Sequence, residues 1–346
     1  MSTATAVAGV MVIAITLYAC SGLADYGAGL WDLTAGGRER GRRPRALIDA
    51  AITPVWEANH VWLIYLIILC WTAFGAAFAP IMTTLFIPLA LAALGIVLRA
   101  AGFAMRKEAA RARARHLAGW LFGIGSILTP FCLGAVLGAI MAGRVPAGAT
   151  GDEISSWWNA TSIVFGLVAV SIGAFAAAVY LIAESRRRGA PHLHGYFRTR
   201  AFVSGGAALV LGVAGLIALR ADQRQMFDRV VERGWPLLLL SAVALAGAFL
   251  LAARGMVRGL RLVAAAGIAA LIWAWAVAQY PYLLPFSLTV DAGAAAGVTL
   301  DWILVWFAVA LLLVIPALAL LYVLDQKGDL AEDPATSLPS HDEATG

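Results

Sequence analysis

Apolar residues in this chain are gathered into long runs separated by short polar stretches. Runs of about 20 residues, the length a bilayer core demands of a helix, fall at 5–24, 57–79, 81–104, 118–142, 158–183, 201–220, 235–253, 261–281 and 302–324. The pattern predicts an all-α, polytopic membrane protein of about nine transmembrane helices, a single domain over 1–324 with a tail at 325–346. Beyond Asp25 the sequence Tyr26-Gly27-Ala28-Gly29-Leu30-Trp31 stays mostly apolar, so the first helix can continue to Leu33. The second and third runs meet at Ala79-Pro80, a connection short enough to make their helices antiparallel neighbours. Gly134-x-x-x-Gly138, Gly205, Gly212 and Gly215 supply the small residues that close helix packing in lipid uses, and Pro130 and Pro316 are expected kinks.

At the mouth of the second run stands Thr53-Pro54-Val55-Trp56-Glu57-Ala58-Asn59-His60-Val61-Trp62-Leu63. On a helix Glu57 and His60 lie one turn apart on one face. A carboxylate in the bilayer costs roughly 2.5–3.5 kcal/mol at a helix centre and less near an end. Two readings follow for Glu57: a proton-handling group, or a hydrated carboxylate that complements the helix N-terminus.

Composition excludes a soluble globule. The chain is 62% hydrophobic and 13% charged, against about 25% charged in soluble domains, and its mean hydropathy is +0.84. The net charge of +5 is spread over short basic clusters between apolar runs, which argues for topology signals and against a nucleic-acid face. Cys20, Cys70 and Cys132 lie inside apolar runs without the spacing of a zinc site or disulfide framework. No phosphate-binding loop, Cys-x-x-Cys-His or His-Glu-x-x-His is present, and His60 has no obvious partner for metal or haem ligation. The N-terminus lacks the early basic region of a cleavable leader, so the first run is expected to remain as a helix.

The basic clusters follow alternate runs: Arg38–Arg45 after the first, Arg106–Arg115 after the third, Arg186–Arg200 after the fifth and Arg254–Arg261 after the seventh. By the Lys/Arg bias these face the cytoplasm, placing the N-terminus outside and the tail, too polar to fold alone, in the cytoplasm. Trp157, Trp158, Trp235, Trp302 and Trp306 then sit at outer ends of runs, as interfacial anchors. The same orientation brings Asp25, Glu57 and Arg99, from three helices, to one depth near the cytoplasmic side. Such a cluster suits proton entry; the bland readings are hydration of Asp25 just past its helix and snorkelling of Arg99.

Five motifs in order carry a family likeness. Trp56-Glu57-Ala58-Asn59-His60-Val61-Trp62-Leu63, Asp25-Tyr26-Gly27-Ala28-Gly29, Arg99-Ala100-Ala101-Gly102-Phe103-Ala104-Met105-Arg106, Gly125-Ser126 with Pro130, Gly134 and Gly138, and Tyr280-Pro281-Tyr282-Leu283-Leu284-Pro285 with Leu288-Thr289-Val290 together resemble subunit II of the cytochrome bd-type quinol oxidases. The resemblance implies two four-helix bundles and a peripheral helix in a bacterial plasma membrane. It implies a heterodimer whose subunit I carries haems b and d and oxidises quinol, with dioxygen reduced to water and no metal ligated in this chain. Subunit II would supply the interface, a proton or oxygen route and, in some members, a structural quinone. Glu57 and Asp25 become proton-path candidates, supported by Trp56, Asn59, His60, Trp62, Arg99 and Arg106. Two departures stand out: Gly22 replaces an acid the family often has, and His60 replaces its usual Glu or Gln. The rivals are a secondary transporter, disfavoured by the odd span count and lack of a visible inverted repeat, and a purely structural scaffold.

Overall fold

The computed structural model describes residues 2–37, 39–52, 56–108 and 112–327, with the side chains of 52, 56–59, 107, 108, 112, 315, 318, 319 and 321–327 left aside. Among these the chain forms eleven helices: α1 (Thr3–Leu33), α2 (Arg42–Ile52), α3 (Trp56–Ala73), α4 (Gly75–Thr84), α5 (Phe86–Glu108), α6 (Ala112–Met141), α7 (Ala160–Arg187), α8 (His192–Asp222), α9 (Arg224–Ala253), α10 (Leu260–Gln279) and α11 (Gly297–Lys327). A hairpin of β1 (Tyr282–Leu284) and β2 (Leu288–Thr289) precedes α11. Among the described residues eight helices are long and apolar enough to cross a bilayer, nine if the bent pair α3–α4 counts as one broken span. This is a multi-pass membrane architecture.

α1 is the hub. It packs on α3 and α6 on one side and on α7 and α10 on the other, while α7, α8, α9 and α10 close a ring of their own. The first bundle is therefore α1 with α3–α6, the second α7–α10, and α11 lies at the edge against α1 and α3. The seam between bundles is a backbone contact: a Cβ on Gly27 would stand 1.9 Å from the carbonyl oxygen of Gly173. Trp31 Nε1 adds a buried hydrogen bond to the carbonyl of Ala174 at 2.8 Å. Gly134 and Gly138 of α6 meet α7 in the same way, their Cβ positions 2.6 Å from Phe165 O and 2.8 Å from Ser162 Cα. The small-residue spacing thus marks a real close approach.

Ends are set by ordinary capping. Ser2 Oγ accepts from the Thr5 N–H at 3.2 Å to start α1, and Asn159 Oδ1 accepts from the Ser162 N–H at 3.0 Å to start α7. α1 runs through Asp25 to Leu33, as the apolar pattern allowed. Several stretches expected as basic loops are helical instead. Residues 192–200 open α8 and residues 112–117 open α6, because Arg and Lys are good helix formers and the helices simply outrun the hydrocarbon.

The second and third runs are divided differently from expectation. The chain breaks at Phe74 and again at Leu85, while Pro80 sits inside α4. α3 and α4 meet at 119°. Phe74 and Leu85 are both fully buried in one apolar cluster with Leu69, Trp157 and Leu284, and the carbonyl freed at Ala73 accepts from the Ala295 N–H at 2.8 Å. The turn is therefore made by tertiary contacts and not by the proline. Trp157 belongs to that cluster at 8% exposure, so it is a core residue and not an anchor, whereas Trp158, Trp235, Trp302 and Trp306 stand exposed. The helix α11 carries three residues past the boundary drawn at 324, and 328–346, read as a disordered cytoplasmic tail, lie outside the described residues.

Candidate functional site

Tyr18, Asp25 and Asp32 recur every seventh residue on α1 and therefore share a stripe. Arg99 and Arg106 recur at the same interval on α5. The two helices run parallel, so the acids and the arginines pair as rungs. Arg99 Nη2 bonds Asp25 Oδ1, with the two side chains 3% and 4% exposed. Its Nη1 donates to the Asp25 carbonyl at 3.0 Å and to Ser126 Oγ at 3.2 Å, and Ser126 in turn donates to Phe122 O at 2.6 Å. Arg99 does not snorkel and Asp25 is not hydrated beyond its helix. Extra hydrogen bonds of this kind are what a buried ion pair needs to offset desolvation.

One rung further, Arg106 holds Asp32 through both nitrogens, Nη2–Oδ2 at 2.7 Å and Nη1–Oδ1 at 3.1 Å, and reaches Asp49 of α2 at 2.7 Å. Arg45 closes this layer, donating to the carbonyls of Asp32 at 3.3 Å and Gly36 at 2.7 Å. Desolvation pushes the Asp49 carboxyl above its ordinary value while Arg106 pulls it back; 41% of that side chain stays exposed, so solvent screens much of the push. Between the rungs lies the ring of Phe122, 1% exposed, with each guanidinium carbon 5.0 Å from its centroid. Arg99 also stands 4.9 Å over Tyr26, whose hydroxyl pairs with that of Tyr18 at 3.1 Å.

α3 brings the remaining motif to this place. The His60 ring meets Tyr26 edge-on at 6.5 Å. Trp62 is half-buried on the same helix. The side chains of Trp56, Glu57 and Asn59 lie outside the described residues, though all three belong to the first turn of α3, with Glu57 three residues ahead of His60. Of the expected site, Asp25 and Arg99 are in direct contact, Arg106 forms the neighbouring rung and His60 touches the cluster through Tyr26.

Asp32, Asp49, Ser126, Tyr18 and Phe122 were missed. The seven-residue spacing of Asp25 to Asp32, matched by Arg99 to Arg106, was the signal for the second rung. A further buried carboxylate, Glu184 in the last turn of α7, is 1% exposed and bonded by Arg187 at 2.8 Å, Arg188 at 3.3 Å and Arg261 at 3.3 Å. Its neighbours in sequence look like loop charges, which hid it.

No three of His, Cys, Asp and Glu converge as metal ligands among the described residues. His116 accepts from Trp120 Nε1 at 3.0 Å, and His60 is packed against a tyrosine.

A family model, cytochrome bd terminal oxidase subunit II, matches residues 3–325. A cytochrome bd ubiquinol oxidase subunit 2 of Bacillus subtilis (strain 168) is 29% identical over 66% of this chain and 65% of its own length. The cytochrome bd-I ubiquinol oxidase subunit 2 of Escherichia coli (strain K12) is 26% identical over 54% of this chain and 48% of its own. The alignments thus span about half to two thirds of these relatives. A chain of the bd oxidase structure from Geobacillus thermodenitrificans superposes with a TM-score of 0.77, covering 94% of this chain and 98% of that one at 21% identity, a likeness of fold. With the model matched from the start of α1 almost to the end of α11, the chain belongs to the cytochrome bd terminal oxidase subunit II family.

Proposed function

We propose that this chain is the non-haem-bearing subunit of a bd-type terminal quinol oxidase of a bacterial plasma membrane. Its partner is a larger subunit I that carries haems b and d and oxidises quinol. The complex reduces dioxygen to water, and this chain stabilises the partner and delivers protons from the cytoplasm. The observation that carries the proton role is the Asp25–Arg99 pair, an acid and a base buried together well inside a span. Each dioxygen reduced to water consumes four protons, so a titratable group at this depth has work to do.

The geometry suits that role. Arg99 is held by the Asp25 carbonyl and by Ser126 as well as by the carboxylate. Asp25 can therefore take up a proton while the guanidinium keeps two other acceptors, and it can release the proton without rebuilding the site. Glu57, one turn before His60 on α3, is the second carrier, feeding the cluster from the helix start. The basic clusters at 38–45, at 106–115, at 186–200 and at 254–261 favour a cytoplasmic place for this end of α1 and an outer N-terminus. The rungs require only that α1 and α5 cross in the same direction.

The α3–α4 break is the one feature that favours a transporter, where broken spans bind substrate through freed backbone groups. Here the freed carbonyl is already taken by Ala295. Affinity purification of the tagged chain from its native membrane decides the matter. The expected result is a larger haem-bearing partner with a red-shifted chlorin band, and no stoichiometric haem on the chain expressed alone. A colourless isolated chain that catalyses solute uptake, or haem bound near one per chain and lost on His60→Ala, would overturn the reading. A reporter fused after Lys327 should read cytoplasmic, and one inserted near Ala294 external.

A further inference from the structure

The end of the second bundle that carries Glu184 is charged almost wholly in one sense. Residues 184–200 and 254–261, which close α7, open α8 and join α9 to α10, hold eight arginines and one carboxylate, Glu184. That carboxylate is already bonded by Arg187, Arg188 and Arg261. Arg186, in the last turn of α7, and Arg198, in the second turn of α8, meet no carboxylate among the described residues. Both lie near enough to His194 for their charges to act on its ring, and His194 and Arg198 stand one turn apart on one face of α8. A Cβ on Gly255, in the turn after α9, would be 3.3 Å from an Arg186 Nη2 and 3.9 Å from His194 Nε2. Basic groups from α7 and α8 thus converge on the end of α9, and like charges gathered in this way repel until an anion joins them.

The same face of α8 changes character as it enters the membrane. One turn beyond Arg198 stands the half-buried Phe202, whose ring meets Phe249 of α9 edge-on at 5.2 Å. One turn further is Gly206, where an added Cβ would meet nothing within 4 Å. Leu209, 52% exposed, continues the stripe. α8 packs closely on α7 and α9 on α10, while α8 and α9 touch each other far less. The result is an open furrow along α8, cationic at its mouth, aromatic at its neck and apolar below.

A free phosphate would use only the mouth, whereas an amphiphile uses the whole furrow. We propose that it holds an anionic phospholipid, the phosphate on Arg186 and Arg198 and an acyl chain along Phe202, Gly206 and Leu209. Guanidinium forks match pairs of phosphate oxygens, and basic pockets between helices at a membrane surface take acidic headgroups. Arginines that only signal topology need the right side of the membrane; they have no need to converge over an apolar furrow. The inference is independent of the proton role of Asp25.

Native mass spectrometry of the purified complex with added phosphatidylglycerol tests it, each variant being compared at unchanged haem content. The Arg186→Gln, Arg198→Gln double variant should retain severalfold less of this lipid than the parent. Gly206→Leu, which fills the furrow and leaves every charge in place, should also lose it severalfold. Arg40→Gln, Arg42→Gln removes two exposed arginines after α1 and should retain as much as the parent. Equal retention in the parent and the Arg186, Arg198 variant would overturn the inference. An equal loss in the Arg40, Arg42 variant would do so as well, by reducing the site to general surface charge. Full retention in Gly206→Leu, or displacement of the lipid by excess inorganic phosphate, would make the occupant a free phosphate and remove the lipid.

Discussion

Both bundles bury carboxylates in contact with arginine, Asp25 and Asp32 in the first and Glu184 in the second, and Asp25 and Glu184 differ in depth and in balance. In the first, Asp25 lies eight residues before the end of α1, about 12 Å along its axis, and meets one guanidinium. In the second, Glu184 lies three residues before the end of α7 and meets Arg187, Arg188 and Arg261. A carboxylate facing three cations is locked in its ionised form. The second site also does mechanical work, since Arg188 spans from Glu184 to the Ala50 carbonyl and straps α2 to α7. The Glu184 site thus serves attachment, while the proposed proton role falls to Asp25.

The contrast can be broken most severely at the seam. Gly27→Val would drive a side chain into the Gly173 carbonyl; separating the bundles should cost more than about 3 kcal/mol. Little or no folded complex should be recovered by size-exclusion chromatography, and a normal yield would mean the bundles meet elsewhere. Next, Arg99→Met leaves Asp25 buried without its cation, a loss of roughly 3–5 kcal/mol. Thermal unfolding of the purified complex should show a large drop in stability, partly recovered in the Asp25→Asn, Arg99→Met double variant. Equal stability in the single variant and the parent would deny the pair its role.

Turnover comes third. Glu57→Gln keeps size and hydrogen-bonding capacity but cannot titrate, and oxygen uptake per haem should fall about tenfold, an added barrier of roughly 1.4 kcal/mol. Glu57→Asp should retain much of the activity, and Asp25→Asn should slow it as well. Unchanged uptake in Glu57→Gln between roughly pH 6 and 8 would make Glu57 a hydrated helix-start carboxylate. The smallest effect belongs to Glu184→Gln. A loss of about 1 kcal/mol should lower the melting temperature by only a few degrees, with uptake unaltered. A turnover defect there would give the second bundle a part in proton transfer and erase the contrast.

Much of this was legible in the sequence because membrane spans advertise themselves. The nine runs, the extension of α1 to Leu33 and the convergence of Asp25 with Arg99 all follow from apolar length and from one ionisable group per helix at matched depth. The break at Phe74 did not show, because its neighbours are equally apolar and the turn depends on Ala295, more than two hundred residues away. α2 was hidden among arginines, although Leu47, Ile48 and Ala51 have helical spacing. Asp32 was hidden by its place at the expected end of a span, where a charge attracts no notice. Glu184 drew no notice because it stands just past the expected end of its span, beside Arg186, Arg187 and Arg188.

The matched spacing on α1 and α5 has a mechanical consequence. A single ion pair lets two helices pivot about it. Two pairs a heptad apart act like a key with two teeth: sliding α5 by one residue shifts it 1.5 Å and turns its side chains by about 100°, so neither tooth would find its slot. With Phe122 clamped between them as a spacer, the two spans can tilt or shift only as one rigid rod. Any sliding of α5 must then carry α1 with it.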